Sequence, residues 1–443
     1  MESTVVDVLR AHELQRLRRI RQLGLVHLVF PGAEHSRLVH SLGAAHLAIR
    51  FTRQLMEASR GFLVPFLQPS EPAVRDMAIA ALCHDLGHGP LSHVWEREVI
   101  GEFDRAVWIS ALGLKDEPHL HNLEWHELAG QALLAWEEGQ LHQILEQQEE
   151  GTSERVRRLL AGEYYLPYLP RVLASDIDVD RCDFVLRDAV QTGVAYGRYD
   201  LNWLISTLTV GAADEQTLVV GFDRRKAPRV AEQFLIARRA LYESVYHHKT
   251  VRSAEGMMGL FLRRLKHITR ESGWPLPETM LFRPVQKIVE GDVIEVSELL
   301  TLDDYLVWVL VQHVAEIGDG DRTLVDLARR LVGRDLFKHI PLRKEGLESL
   351  LIKEEGHREL QEIIAPYAPG DPEFYVHIDT ARFELFSEEP GKQAYVVDTD
   401  HDERPATLVR DLPQLRQLWA EPDTVLRLYA PREAREALAS ALG

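Results

Sequence analysis

The sequence is poor in cysteine and in long apolar runs, and each shortage excludes a class of protein. Two cysteines, Cys83 and Cys182, occur among 443 residues. Their spacing matches neither a disulfide framework nor a zinc knuckle. The most apolar run, residues 305–311, is far too short to cross a bilayer. We therefore expect a globular protein of a reducing cytoplasm that does not span a membrane.

Positive charge is also scarce. The chain has 51 Lys and Arg against 69 Asp and Glu, a formal net charge of −18. Such a balance argues against sequence-independent binding to nucleic acid or to an anionic membrane. The first residues, Met1 to Thr4, include no basic segment followed by an apolar core, so no secretory signal is evident. An anionic substrate would need a local basic cluster.

The length predicts two or three domains with well-buried cores. Helical periodicity dominates, and two short apolar runs, Leu208 to Gly211 and Leu218 to Asp223, predict a β-hairpin. Later segments alternate like strands. We predict a mainly α fold with a catalytic core over residues 1–270, a helical extension over 271–369 and a small α+β C-terminal region over 370–443.

An apolar helical run that ends in adjacent His84 and Asp85 carries the strongest chemical signal. We expect His88 one helical turn beyond His84, before Gly89 and Pro90 break the helix. A neutral imidazole and an ionised carboxylate are ligands for a divalent cation. An isolated His-Asp pair is more often a surface feature. Here the apolar run before it means that a buried charge needs a partner or a metal.

Two other stretches could supply further ligands. His40 lies on a helix predicted from Ser36 to about Arg60, although a single histidine there would more often be a hydrogen-bonded core residue. Acidic residues alternate with apolar ones between Asp176 and Asp188. Charge this dense is usually solvated, but the apolar positions would draw one face inward. Together these stretches predict a His/Asp cage between facing helices.

Basic residues cluster in two helical segments. Residues 11–23 place arginines between helically spaced apolar positions, which suits either a solvated face or an anion-binding strip. Further along, Arg238, Tyr242 and Tyr246 share a helix face at i, i+4 spacing. An ordinary amphipathic helix with a mixed edge explains the second segment equally well.

Four segments, in one order, resemble the HD-domain deoxynucleoside triphosphate triphosphohydrolases, including the animal enzymes with a sterile alpha motif and their bacterial relatives. The segments are Phe30-Pro31-Gly32-Ala33 through His40-Ser41-Leu42-Gly43, Cys83 through His93, Trp125-His126-Glu127 and Asp178-Val179-Asp180-Arg181. The likeness covers about residues 10 to 340 and implies an HD-domain helical bundle. So many motifs in one order are specific for the superfamily but less so for the substrate.

The resemblance implies a role for each matching residue. The metal ligands would be His40, His84, Asp85 and Asp180. The residues acting on the phosphates would be His88, His93, His126, Glu96 and Arg37. The substrate contacts would be Gln22, Leu23, Arg181, Asp188, Arg238, Tyr246 and Lys249. Three positions around the active site depart from the animal enzymes: Glu96 replaces an aspartate, Arg181 a lysine and Phe184 a tyrosine. The triphosphate contacts are therefore expected to differ.

The resemblance also implies a divalent metal cofactor (Mn, Fe, Mg, Zn or Ni), a dNTP substrate, a nucleotide effector and a homo-oligomer, either dimer or tetramer. Gln15 and Arg18 fit the family's regulatory guanine site, but Arg10 stands in place of its guanine-reading aspartate, which puts activation in doubt. Two alternatives stay open. One is a phosphohydrolase of a monophosphate or an alarmone. The other is a nucleotide-sensing or nucleic-acid-binding protein, against which the histidines and the acidic charge count.

Overall fold

The protein is mainly helical, as predicted. The computed structural model describes residues 2–60, 63–101, 103–317, 320–341, 354–399, 405–416 and 423–442. The α-helices in these ranges are α1 (Glu2–Arg10), α2 (His12–Arg16), α3 (Arg37–Ala58), α4 (Glu71–Cys83), α5 (His93–Trp95), α6 (Arg105–Ala111), α7 (Trp125–Ala135), α8 (Gln140–Gln148), α9 (Thr152–Leu160), α10 (Val179–Thr192), α11 (Leu201–Ser206), α12 (Pro228–Leu241), α13 (Lys249–Ser272), α14 (Arg283–Glu290), α15 (Val296–Leu299), α16 (Asp304–Glu316), α17 (Arg322–Val332), α18 (Glu354–Ile364), α19 (Pro413–Arg416) and α20 (Arg435–Leu442).

Three helices, α3, α4 and α10, pack together at the centre of the fold. The predicted helix from Ser36 to about Arg60 is α3, and its inward face includes Leu38, Ala45 and Phe51, all buried. Helix α4 begins at Glu71 with a proline in its first turn, where the missing N–H costs nothing. Almost all of α4 is buried, so any polar group at its end faces the interior.

The predicted continuation of α4 through His88 was wrong. The α-helix ends at Cys83, and the chain then turns tightly through Gly87 and Gly89. A Cβ on Gly87 would lie 2.0 Å from the carbonyl oxygen of His126, so only glycine lets the turn approach α7 this closely. The buried guanidinium of Arg16 donates to the carbonyl oxygens of Leu86 and His88, each at 2.8 Å. His88 is therefore fixed by the turn, not by helical spacing.

Helical periodicity in the sequence continues through two interruptions in the structure. Periodicity predicts one helix from Leu123 toward Glu149, but the structure has two, α7 and α8. It also predicts one helix from Val230 to about His267, but a π-helical turn, Tyr242–Tyr246, separates α12 from α13. π-helical turns often occur at functional sites. This one carries Tyr246 to the cavity described below.

Two small sheets complete the fold. The predicted hairpin is confirmed, with β1 (Leu208–Ala212) antiparallel to β2 (Leu218–Asp223). Strand β5 (Tyr395–Val397) then pairs parallel to β2, and β6 (Thr407–Leu408) pairs with β5. The second sheet consists of β3 (Lys338–Ile340), β4 (His377–Phe383) and β7 (Asp423–Ala430), with β7 between the other two.

Strands after residue 370 thus pair with strands before it in both sheets. Main-chain hydrogen bonds join the C-terminal region to the rest of the chain, while the domain boundaries at 270 and 370 stay predictions. Among the helices in the described ranges, none combines the length and hydropathy needed to cross a membrane.

Candidate active site

Side chains from three helices converge on one point. The Nε2 atom of His40, from α3, lies 3.2 Å from Nε2 of His84, just after α4, and 3.0 Å from Oδ1 of Asp180 on α10. His84 Nε2 is 3.6 Å from the same Asp180 oxygen. Asp85 Oδ1 lies 3.4 Å from His84 Nε2. Two nitrogens and one oxygen of Asp180 therefore face a common centre, and Asp85 borders it on the side of His84.

The opposite edge of each imidazole is fixed by an acceptor. His40 Nδ1 lies 2.8 Å from Oδ2 of Asp183, and His84 Nδ1 lies 2.7 Å from the carbonyl oxygen of Ala81. A carboxylate and a carbonyl accept hydrogen bonds, so each Nδ1 carries the proton and donates. In the neutral ring each Nε2 then presents its lone pair to the centre, and in the charged ring it carries a second proton that faces Asp180. This tautomer, held by an outer-shell acceptor, is typical of metal-binding histidines.

The residues present fit a divalent cation. Two Nε2 lone pairs 3.2 Å apart repel each other unless a positive charge lies near both. Mixed imidazole and carboxylate ligands suit Zn, Fe, Ni and Mn, so the donor set does not distinguish among them. His40 does not reach the surface at all, and its burial makes an uncompensated charge costly.

The local charges agree with that fit. Burial lowers the pKa of His40, but hydrogen bonds to Asp180 and Asp183 outweigh it and raise that pKa to about 10. The pKa of Asp180 falls below its usual range in spite of burial, because His40 and His84 donate to it. The centre thus has a negative field that favours any cation, whether proton or metal.

A second cluster lies beside the first. The rings of His88 and His126 stack with centroids 3.9 Å apart and planes 9° apart. Glu96 connects them, with Oε1 3.1 Å from Nδ1 of His126 and 3.3 Å from Nδ1 of His88. Nδ1 of the exposed His93 lies 3.6 Å from Oε2 of Glu96. These four residues match those expected to act on the phosphates.

The two stacked histidines differ in charge. Burial and the nearby Arg37 lower the pKa of His88 to about 4, so this ring is neutral at pH 7. Burial also lowers the pKa of His126, but the hydrogen bond and charge of Glu96 outweigh it and raise that pKa above its usual value. His126 therefore has the higher pKa of the pair, and it is the histidine suited to act as an acid.

Arg37 connects the cluster of His40, His84 and Asp180 to the cavity wall. Its Nη1 donates to Oδ2 of Asp85 at 2.6 Å, and its Nη2 donates to Oγ of Ser92 at 2.8 Å. Ser92 has φ of 53°, which is uncommon for a residue with a side chain. The guanidinium is buried but borders the cavity, where its planar donors suit phosphate oxygens.

A cavity of about 560 Å³ collects most of the residues predicted for the site. Its volume lies in the usual range of ligand pockets. The predicted residues that line it are Gln22, Leu23, Arg37, His84, Asp85, His88, His93, His126, Asp180, Arg181, Asp188 and Tyr246. His40 lies fully buried behind His84 and Asp180. Glu96 lines an adjoining cavity of about 380 Å³ and contacts the histidines from that side.

Two predicted substrate residues do not line the cavity. Arg238 is buried between the rings of Tyr242 and Phe383, and its Nη1 donates to the carbonyl oxygen of Leu385 at 3.0 Å. Lys249 is exposed at the start of α13. The turn that separates α12 from α13 redirects the chain, so sequence spacing does not place these two side chains with Tyr246.

Asp188 organises the end of the cavity expected to hold the sugar. It accepts from the hydroxyl of Tyr246 at 2.6 Å and lies 2.8 Å from Nε2 of His35, and both Asp188 and His35 are buried. Gln22 and Leu23 line the same cavity, and Gln22 Oε1 is buried without a partner in the described structure. That end therefore presents a buried carboxylate and an unpaired amide oxygen to the cavity.

Sequence reasoning missed several residues that support the site. Asp183 accepts from His40 and also from Nε and Nη2 of Arg187, each at 2.7 Å. Its position three residues after Asp180 places both on one helix face, which was the available signal. His35 and Ser92 lie inside recognised motifs. Arg16 belongs to the arginine-containing segment 11–23, but it faces neither solvent nor an anion: it is buried and donates to main-chain carbonyl oxygens.

No protein-family model matches the sequence. The uncharacterized protein YwfO of Bacillus subtilis is 29% identical over 387 residues, 86% of this chain and 76% of that protein. The deoxynucleoside triphosphate triphosphohydrolase SAMHD1 of Bos taurus is 27% identical over 390 residues, 83% of this chain. Over most of its length the chain is thus similar in sequence to a triphosphohydrolase.

This chain spans 61% of the bovine protein's length, less than two thirds. The crystal structure of a phosphohydrolase from Bacteroides thetaiotaomicron aligns with a TM-score of 0.72 at 23% identity, covering 96% of this chain and 94% of that one. At that identity the structural likeness shows the fold, which is the helical bundle expected from the resemblance.

Proposed function

We propose that the protein hydrolyses deoxynucleoside triphosphates to deoxynucleoside and tripolyphosphate, with a divalent metal ion held by His40, His84, Asp85 and Asp180. The observation that carries the proposal is the convergence of both Nε2 atoms and Asp180 Oδ1 within 3.6 Å of one another at the wall of the cavity. The triphosphohydrolase among the relatives supports the substrate class.

The cation would supply Lewis acidity toward a phosphate oxygen and toward water. Arg37 binds the α-phosphate from the adjacent wall, since its guanidinium borders the cavity and is held in place by Asp85 and Ser92. When the water oxygen attacks the α-phosphorus, the bond to the 5′-oxygen breaks. His126 donates its proton to that oxygen, and Glu96 stabilises the charged imidazole.

The sugar would lie between Leu23 and Tyr246. Asp188 accepts from the 3′-hydroxyl, because its carboxylate lines the cavity and is oriented by Tyr246 and His35. Gln22 and Leu23, which line the same cavity, would crowd the sugar so that a 2′-hydroxyl is excluded. The selection of deoxyribose is thus mainly steric. We also propose cytoplasmic activity as a homo-oligomer, with a nucleotide effector as a further prediction.

A second candidate is an HD phosphohydrolase of another nucleotide, such as a monophosphate or an alarmone. Phe184 favours it, since it lines the cavity where the animal enzymes have a tyrosine and so offers no hydroxyl to a phosphate.

A substrate panel decides between the two. Purified protein would be incubated with Mn²⁺, Fe²⁺ or Mg²⁺ and each dNTP, alone and in pairs, and with monophosphates and an alarmone. Chromatography and ³¹P NMR should show tripolyphosphate from at least one dNTP. Inorganic phosphate or pyrophosphate without tripolyphosphate would favour the second candidate. The variant with both His84 and Asp85 changed to alanine should be inactive, and full activity in it would refute both.

A further inference from the structure

Lys392 reaches the active-site cavity from a distant part of the chain. Among the described residues that line this cavity, it alone comes from beyond residue 255. It lies on a segment that we call the C-terminal strap, residues 385–394, which leads into β5. The residues to which the resemblance assigns a role all lie before the strap, so no role was expected for it.

A buried carboxylate fixes the strap. Asp176 is 4% exposed, and its Oδ1 accepts from the main-chain N–H of Ser387 at 2.7 Å. Its Oδ2 accepts from the N–H of Ala394 at 3.1 Å, and its own N–H donates to the carbonyl oxygen of Lys392 at 2.8 Å. These three hydrogen bonds hold both ends of the loop around Lys392.

Two arginines add to this attachment. Arg171 Nη1 donates to the carbonyl oxygen of Gly391 at 3.0 Å, and its guanidinium lies 5.3 Å from the ring centroid of Tyr395. Arg238 donates to the carbonyl oxygen of Leu385. Asp176 and Arg238 are buried, and their hydrogen bonds to the strap offset part of the cost of burying their charges. Together, the contacts of Asp176, Arg171 and Arg238 determine where the main chain at Lys392 lies.

The attachment point lies next to the metal centre. Asp176, Asp178 and Asp180 alternate along the segment that enters α10. Asp178 caps that helix and pairs with Arg181, and Asp180 faces His40 and His84. Asp176 thus holds the strap, Asp178 holds a cavity arginine, and Asp180 belongs to the proposed metal centre. The main chain at Lys392 therefore has a fixed position relative to the arginine and to the metal centre.

Lys392 has the chemistry of a phosphate ligand. Its Nζ lies 2.9 Å from Oε2 of Glu389, and the two side chains are 45% and 66% exposed. An ion pair this exposed is weak and easily exchanged for a phosphate oxygen. Four arginines also line the cavity, and they are more firmly paired. Arg37, Arg181 and Arg252 form ion pairs with the buried carboxylates of Asp85, Asp178 and Asp379, and Arg97 pairs with Glu98. A triphosphate needs more cationic groups than the α-phosphate site supplies.

We propose that Lys392 binds the phosphate chain of the substrate and that Asp176 is the positioning residue that sets the strap against the cavity. This rests on the proposed function. Lys392→Gln should raise KM for a dNTP about 3- to 10-fold and change kcat less than twofold, because the lost contact is a partly solvated charge-assisted hydrogen bond. Lys392→Arg should restore KM to within twofold.

The control is Lys287→Gln. Lys287 also pairs with a glutamate, its Nζ lying 2.8 Å from Glu298 Oε1, but it lies on α14 and does not line the cavity. Its KM should match that of the unmodified protein. Asp176→Asn should raise KM, and the double variant with Lys392→Gln should show less than the product of the two effects, because both act on one contact.

A second measurement separates this proposal from the proposed function. Binding of inorganic tripolyphosphate to the metal-loaded full chain is followed by calorimetry, and Lys392→Gln should weaken it about 3- to 10-fold. Equal KM and equal tripolyphosphate affinity in the two proteins would overturn the role of Lys392. If the unmodified protein hydrolyses no dNTP, the proposed function fails, and tripolyphosphate binding alone then decides for or against Lys392.

Discussion

Replacing Asp183 by asparagine should weaken metal binding without removing any proposed ligand. The carboxylate accepts from His40 Nδ1 at 2.8 Å and from two nitrogens of Arg187 at 2.7 Å. Asparagine has one acceptor oxygen and one NH₂ group. If its oxygen accepts from His40, its NH₂ faces the arginine donors; if it flips, His40 loses its acceptor. In either orientation the imidazole is less well oriented and less basic.

Outer-shell acceptors of this kind are worth about 10- to 100-fold in metal affinity, or about 1.4 to 2.8 kcal/mol. Mn²⁺ affinity should be measured by competition with a chelating dye. The matched control is Asp326→Asn, which removes the carboxylate of a similar i, i+4 pair, 2.8 Å from Arg330 Nε on α17. The reasoning would be refuted if Asp183→Asn bound Mn²⁺ within twofold of the unmodified protein. It would also be refuted if the control lost as much Mn²⁺ affinity as Asp183→Asn.

Three further predictions concern charge, packing and the cation. Glu96→Gln should lower the pKa of His126, because the Glu96 carboxylate raises that pKa. The protonated form of His126 is the active one and is lost as pH rises through its pKa. The basic limb of the plot of kcat against pH should therefore move to lower pH. An unmoved limb would exclude His126 as the acid. Gly43→Ala should lower the free energy of unfolding by about 1 to 3 kcal/mol in urea titrations, because the new Cβ would lie 1.8 Å from Oδ1 of Asp183; an unchanged midpoint would contradict this packing. Adding Mn²⁺ at 100 times its Kd should stabilise the fold by about 2.7 kcal/mol, seen as a raised Tm that a chelator reverses; no shift would mean that the folded chain does not bind the ion.

The sequence predicted the helical class and the hairpin because their periodicities are local. It also predicted that His40, His84 and Asp180 would come together, and the structure places their ligand atoms close to one another, although their role as ligands stays a proposal. The resemblance supplied that grouping, since a histidine alone on a helix gives no sign of its partners.

Other features depend on tertiary contacts that no local pattern encodes. The end of α4 at Cys83 was missed because the two glycines that follow reveal a turn only when their close neighbours are known. Lys392 lies more than 200 residues from Asp176 in sequence, and main-chain hydrogen bonds bring them together. The sequence shows that Lys392 is charged, but it does not show that this side chain lines the active-site cavity.

The most direct test of the central claim is a crystal of the protein soaked in Mn²⁺ and measured near the manganese absorption edge. The account predicts one strong anomalous peak per chain, about 2.0 to 2.3 Å from Nε2 of His40 and of His84 and from oxygens of Asp85 and Asp180. A fully soaked crystal with no peak there, or with His40 turned away from the others, would contradict it.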